Sequence, residues 1–305
     1  MQHQLKWIKK KRAKTLNLYI PPALPLPART SLPKDEYTWI FFDLETTGLG
    51  LTSEILEIGA TRGNDTFQRF IKPVGSISTK ATLVHGIHLK NNTLMKREEV
   101  LQTTDLHSAL EDFSSWLSSS KNNVLLGHNG NHFDFPLLVK NLLYRNVSTN
   151  VVGFVDTLEV FRDILDKHSG SYSQESLMKE SGLQCTGQAH CALYDSVNLQ
   201  KLTKFHNIED ESLIKHSVSS EYVYQIYSHS QCKEKNYKSL HVLVHEKVIS
   251  DFMANKIASS GLNFSHLQLA FQRHQEDGIR NLFIENVGGK VRVSKCKKIW
   301  SSVAN

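Results

Sequence analysis

The sequence predicts an α/β fold: a mixed sheet flanked by helices, with a small, mainly helical C-terminal extension. Three observations predict it. Trp39 to Leu44 is an apolar, aromatic-rich run, and two further strand-like stretches, Glu54 to Thr61 and Thr66 to Ile71, follow it closely. Helical and strand patterns then alternate as far as His206, which is the texture of a sheet packed between helices. Beyond that point the clear strand signals cease, and Val248 to Ser259 and Leu267 to Phe283 read as helices.

The elements can be justified in order. Residues 1–34 read as a basic, proline-rich leader. Five of the seven prolines fall between Pro21 and Pro33, and proline fixes φ and removes a donor, so an extended and partly disordered segment is expected. Within it, Lys9, Lys10, Lys11, Arg12 and Lys14 form a cluster that suits an import signal, a phosphate-binding arm or a solvated tail. Residues 35–207 form the catalytic candidate domain. Asp105 to Ser119 is an amphipathic helix, with Leu106, Ala109, Leu110, Phe113, Trp116 and Leu117 at i, i+3/i+4 spacing. Val124 to Leu126 is a short buried strand, a helix is expected from about Phe135 to Tyr144, and Val151 to Val155 is another strand. Residues 208–305 are the extension, in which Tyr222 to Tyr227 and His241 to His245 fit helix or strand equally.

Composition narrows the partner. The net charge of +6 is uneven: +8 over residues 1–34, +5 over 280–305 and −7 over the body between them. Basic ends on an acidic body suggest a polyanion such as nucleic acid. No apolar run approaches the roughly 18 residues of a membrane span, and prolines replace the apolar core of a secretory signal. Cys185, Cys191, Cys232 and Cys296 show no CxxC pairing, so reduced thiols in an intracellular protein, nuclear or cytoplasmic, are expected rather than zinc or disulfides.

Three constellations carry chemistry. In Phe41-Phe42-Asp43-Leu44-Glu45-Thr46-Thr47-Gly48, Asp43 and Glu45 sit at i and i+2 of a strand and project from one face. Two carboxylates at the end of an apolar strand are costly without a positive charge between them, and a divalent cation meets that need. In Leu126-Gly127-His128-Asn129-Gly130-Asn131-His132-Phe133-Asp134, a turn rich in glycine and asparagine follows a buried strand and delivers Asp134 to a helix start, where N-capping is its alternative role. In His190-Cys191-Ala192-Leu193-Tyr194-Asp195, five residues of helix would turn the two end side chains about 140° apart. His190 therefore belongs in the loop leading in, with Asp195 on the first turns of a helix.

In this order the motifs resemble the DEDDh exonuclease superfamily with its ribonuclease H-like fold. Asp43 and Glu45 match its D-x-E, Asp134 its second motif, and His190 with Asp195 its H-x4-D. Position 191 is Cys rather than the Tyr of the sibling subclass. The resemblance continues through Glu54-Ile55-Leu56-Glu57-Ile58-Gly59, Val84-His85-Gly86-Ile87 and Val155-Asp156-Thr157-Leu158, over residues 37–206. His128-Asn129-Gly130, Asp134-Phe135-Pro136-Leu137-Leu138 and Ser171-Tyr172-Ser173 look closest to the three-prime repair exonucleases and the promyelocytic leukaemia protein exonuclease-like group.

The resemblance implies 3′→5′ hydrolysis of nucleic acid with Asp43, Glu45, Asp134 and Asp195 as metal ligands and His190 as general base. An imidazole's ordinary pKa of about 6.5 suits that role. Four carboxylates favour Mg²⁺ or Mn²⁺, two ions per site. It further implies that Thr46, Thr47, Gly48, Leu49, His128 and Asn129 meet the substrate, with Leu49 stacking on a terminal base. His85 and Asp156 read as structural. Single-stranded 3′ DNA ends are the favoured substrate. RNA ends, or a catalytically inactive scaffold that only holds nucleic acid, are the alternatives. For the extension, auxiliary nucleic-acid binding through Lys290, Arg292, Lys295, Lys297 and Lys298, a homodimer contact and a partner-docking surface are all open.

Overall fold

A computed structural model describes residues 19–50, 52–165, 169–187 and 190–304, so the expectation for the Lys9 to Lys14 cluster lies outside the described residues. The chain gathers into two compact units: Ala28–Tyr224, and residues 225–304 together with 19–27.

The first unit is built on a seven-stranded mixed sheet of order β10-β9-β8-β1-β2-β3-β7. Strand β1 (Thr38–Thr46) pairs antiparallel with β2 (Ile55–Arg62), which pairs antiparallel with β3 (Asp65–Ile71). On its other side β1 runs parallel to β8 (Asn123–Gly127), and β8 parallel to β9 (Val151–Asp156). Parallel neighbours need crossovers, and helices supply them. These are α2 (Leu106–Leu117) ahead of β8 and α3 (Asp134–Arg145) between β8 and β9. The short β7 (Thr103–Thr104) and β10 (Ser217–Ser219) finish the two edges. This is the ribonuclease H-like mixed sheet flanked by helices that the resemblance implies.

Alternation along β1 explains why it is central. Phe41 and Phe42 are both buried, on opposite faces. Phe42 stacks on Phe113 of α2, which also meets Phe67 and Trp116. Phe41 joins Val124, Leu126, Val155, Phe161, Leu199 and Leu202 in the core of the other face. Each such side chain contributes roughly 1.5–3 kcal/mol by leaving water. Asp105 caps α2, accepting from the backbone N–H of His107 and Ser108 at 2.9 and 3.2 Å.

Between β3 and β7 the chain makes an excursion through α1 (Thr79–His85) and a separate three-stranded sheet of β4 (Ile87–Lys90), β5 (Thr93–Lys96) and β6 (Glu99–Val100). After β9 come α4 (Thr157–Ile164), α5 (Gln174–Glu180), α6 (Ala192–Phe205) and α7 (Asp210–His216).

The second unit holds most of α8 (Ser220–His245), then α9 (Asp251–Ser259), α10 (Phe264–Ile284), the hairpin of β11 (Asn286–Val287) and β12 (Lys290–Val291), and α11 (Lys297–Ala304). Its own core includes Leu240, Ile257, Leu262, Phe283 and Val293, with Trp300 against it. Non-helical backbone at His274 and Gln275 kinks α10.

The structure adds to the reading of the sequence at four places. The first compact unit runs past residue 207 to Tyr224: β10 adds to the sheet beside β9, and α7 packs against β9. The leader divides. Thr30 and Leu32 bond to Ser219 and Ser217 of the first unit, while Leu24 N–H donates to Ser260 O and the Pro21 carbonyl accepts from Arg292 in the second. The two ambiguous stretches are parts of the single helix α8. Arg292 itself is buried, bonded to Glu285 as well as to Pro21 and Ser260, so it does not share the exposure of Lys290, Lys295, Lys297 and Lys298.

Candidate active site

The site lies at the carboxyl ends of β1 and β8, beside the line where the sheet changes from antiparallel to parallel pairing. Such ends open a crevice, because the chain leaves adjacent strands in different directions. Asp43 and Glu45 come from β1 and share a face. Asp134 is the first residue of α3. Asp195 stands on the first turn of α6, and His190 precedes that helix in the loop, at a left-handed φ of +61°. The expected division of loop histidine and helical aspartate is what the structure shows.

Ligand atoms of Glu45, His190 and Asp195 lie within 4.8 Å of one another. Asp43 and Asp134 are close enough to act electrostatically on the same cluster. Burial pushes the Asp43 carboxyl well above the usual range, and the charges of Asp134, Glu45, Asp195 and Glu57 push further. Burial, then Glu57 and Asp195, raise Glu45 to about 8, against the opposing pull of the Lys96 ammonium. Burial raises Asp134 to about 7. It raises Asp195 to about 6 against the opposing influence of His190. Burial is the largest cause at each carboxyl, and neighbouring negative charge adds to it. The donor set fits a hard divalent cation, since oxygens dominate. The neighbouring Cys191 thiol is pushed up to about 12 by burial, so it stays protonated and does not act as a soft ligand.

Asp134 does not cap α3. The N-cap position is Phe133, without a side-chain bond. Its placement comes from Asp156, whose carboxylate accepts from the backbone N–H of Asn129 at 2.8 Å, Asn131 at 3.1 Å and Leu158 at 3.0 Å. At Gly130 a Cβ would lie 2.5 Å from the Phe135 ring, so only glycine lets the turn pass. Asp156 is structural, as expected. So is His85: its Nδ1 accepts from Ile87 N–H at 3.0 Å and its Nε2 bonds Thr46 O at 3.1 Å. Burial lowers its pKa, in keeping with a neutral ring that donates through Nε2.

The expected substrate residues divide. Thr46 Oγ1 donates to Gly48 O at 2.7 Å and Thr47 Oγ1 accepts from Glu54 N–H at 3.0 Å, so both hydroxyls shape the loop. That loop presents Leu49 at 96 % exposure. Asn129 is exposed. His128 is tied into the fold. Its Nδ1 bonds Thr157 Oγ1 at 3.0 Å and its Nε2 bonds Tyr172 O at 2.7 Å, so both ring nitrogens serve the fold.

Two residues of the site were not singled out from the sequence. Glu57 faces Glu45 across the β1–β2 pair, and Lys96 of β5 donates to the His190 carbonyl at 3.1 Å. A charged residue inside Leu56-Glu57-Ile58 was the available signal for the first. Nothing local marked Lys96, which arrives from a separate sheet.

The mixed sheet thus carries Asp43 and Glu45 on its central strand, with Asp134 and Asp195 delivered by the helices beside it and His190 by the loop before α6. The chain belongs to the exonuclease family, whose model matches residues 40–203. A second family, described as the PML C-terminal domain, matches residues 236–305. Among curated relatives, the PolC-type DNA polymerase III of Staphylococcus saprophyticus is 27 % identical over 165 residues, 52 % of this chain and 10 % of that protein. Its Staphylococcus aureus counterpart (strain RF122) is 26 % identical over 252 residues, 81 % of this chain and 14 % of that protein. The chain thus spans only a small part of those relatives' length. Among the described residues, no helix is long and apolar enough to cross a membrane.

Proposed function

We propose that this chain is a metal-dependent 3′→5′ exonuclease that releases nucleoside monophosphates, with DNA as the favoured polymer. The observation that carries this reading is the convergence of Glu45, His190 and Asp195 within 4.8 Å at the end of the strand that also bears Asp43. Asp43, Glu45, Asp134 and Asp195 would hold two Mg²⁺ or Mn²⁺ ions. When bound, these cations would acidify a water and stabilise charge on the scissile phosphate. His190, exposed and adjoining the carboxylates, accepts the proton of the attacking water. The loop from Thr46 to Leu49 receives the 3′-terminal nucleotide. Leu49, almost wholly in solvent, offers an apolar face to the base, and such stacking tolerates any sequence. Asn129, exposed in the turn before α3, would meet the substrate from that side.

The test is release of mononucleotides from a 3′-labelled oligonucleotide, with Mg²⁺, with Mn²⁺ and with chelator. Wild type is expected to act with either metal and to stop in chelator, and Asp43→Ala is expected to be inactive. A mutant at wild-type rate, or release that proceeds in chelator, overturns the reading. Presenting single-stranded DNA, duplex DNA and RNA ends in the same assay decides the polymer, since selection through the 2′-OH depends on the shape of the site.

A further inference from the structure

Glu57 is wholly buried in the middle of β2. A buried carboxylate is retained only where its bonds compensate for lost hydration. Here one oxygen does nearly everything. Oε1 accepts from Gln68 Nε2 at 2.7 Å, from Cys191 Sγ at 3.2 Å and from the Leu193 backbone N–H at 3.4 Å. Oε2 has no partner among the described residues. A carboxylate kept for a closed polar network would have both oxygens bonded. The reason for keeping this one lies in what Oε1 holds.

What it holds is the start of α6. The N-cap of that helix is Cys191, which makes no capping bond of its own, so the first N–H groups need an acceptor from elsewhere. Glu57 supplies one from the neighbouring strand, through Oε1 to the Leu193 N–H. Gly59, two residues along on the same face of β2, lets the helix come close. A Cβ there would lie 2.1 Å from both the Ala192 carbonyl carbon and the Leu193 nitrogen. The turn so fixed carries the chemistry: Asp195 N–H donates to Cys191 O at 2.8 Å, and His190 is the residue before Cys191. Glu57 also faces Glu45 across the strand pair.

We propose that Glu57 is a positioning residue, which caps α6 from β2 and thereby fixes Asp195 and His190 against Glu45. The inference rests on the assignment of those three residues under the proposed function.

The experiment compares Glu57→Gln, Glu57→Ala and Asp195→Asn with wild type in kcat, KM and Mn²⁺ affinity, the last by electron paramagnetic resonance without substrate. Gln keeps an accepting oxygen for α6 and Ala does not. Glu57→Ala is expected to lose about 10- to 100-fold in both kcat and Mn²⁺ affinity with KM little changed, as for groups that orient metal ligands. Glu57→Gln is expected to recover most of both. An Ala variant equal to wild type, or a Gln variant no better than Ala, overturns the inference. If the Ala variant does not fold, the Gln variant alone decides: near wild type supports positioning, and a loss as deep as that of Asp195→Asn overturns it. An Asp195→Asn enzyme at wild-type rate would instead sink the underlying function.

Discussion

Lys96 reaches from β5 to donate to the backbone carbonyl of His190 at 3.1 Å, so a residue outside the main sheet restrains the loop that carries the proposed base. His190 occupies a left-handed backbone conformation, which a non-glycine residue keeps only when its surroundings enforce it. Lys96→Met should lower kcat on the order of tenfold with little change in KM, and Lys96→Arg should recover part of the loss. Steady-state kinetics on an oligonucleotide separates this from a phosphate-gripping role, in which KM would rise at constant kcat.

His190→Ala should reduce kcat by at least about 10²-fold, the range for loss of a general base. The carboxylates remain, so Mn²⁺ should still bind. Single-turnover rates and Mn²⁺ titration read the two effects independently. A variant with wild-type single-turnover rate would remove His190 from the chemistry, and one that binds no Mn²⁺ would recast it as a metal ligand.

How much of this was legible in the sequence follows from range. Asp43 and Glu45 could be placed because i and i+2 on a strand is a local rule, and β1 obeys it. The loop position of His190 followed from helix geometry alone. The tethering of His128 could not be read, because its partners, Thr157 and Tyr172, lie 29 and 44 residues away in sequence. The three-stranded sheet of β4, β5 and β6 was missed because strands of two to four residues carry too little periodicity. Residues 19–27 gave only their prolines. Their docking depends on Arg292 and Ser260, far along the chain.

Asp156→Ala should destabilise the first unit by about 3 kcal/mol, because three backbone N–H groups lose their acceptor in a buried turn. The turn also delivers Asp134, so activity should fall beyond the loss of folded protein. Urea denaturation followed by fluorescence, together with activity per folded molecule, checks both. An unchanged midpoint would show that water satisfies those groups.

Arg292→Met should cost about 2 kcal/mol in the second unit, since the Pro21 and Ser260 carbonyls lose a buried donor while the lost ion pair with half-exposed Glu285 adds little. If 19–27 are held as the structure shows, this variant should also be cut faster by protease near Pro21. Limited proteolysis with mass spectrometry reads the site. Cleavage no faster than in wild type would argue against the tether.

The raised carboxylates set a pH dependence whose sign is fixed. Glu45 at about 8, Asp134 at about 7 and Asp195 at about 6 all lie above the ordinary values, near 4, that the unfolded chain would show. Between about pH 4 and pH 8 the metal-free native state therefore holds protons that the unfolded state has released. Its stability is favoured at the acid end of that window and is lost as pH rises through it. A divalent cation takes the place of those protons, so its binding should release protons and strengthen with pH over the same range. Urea midpoints in chelator should fall from about pH 5 to about pH 8, and Mn²⁺ should reduce or reverse the fall. A midpoint in chelator that is flat or rises over this range would show that the crowded carboxylates are relieved in some other way, and would remove the electrostatic argument for a cation at this site.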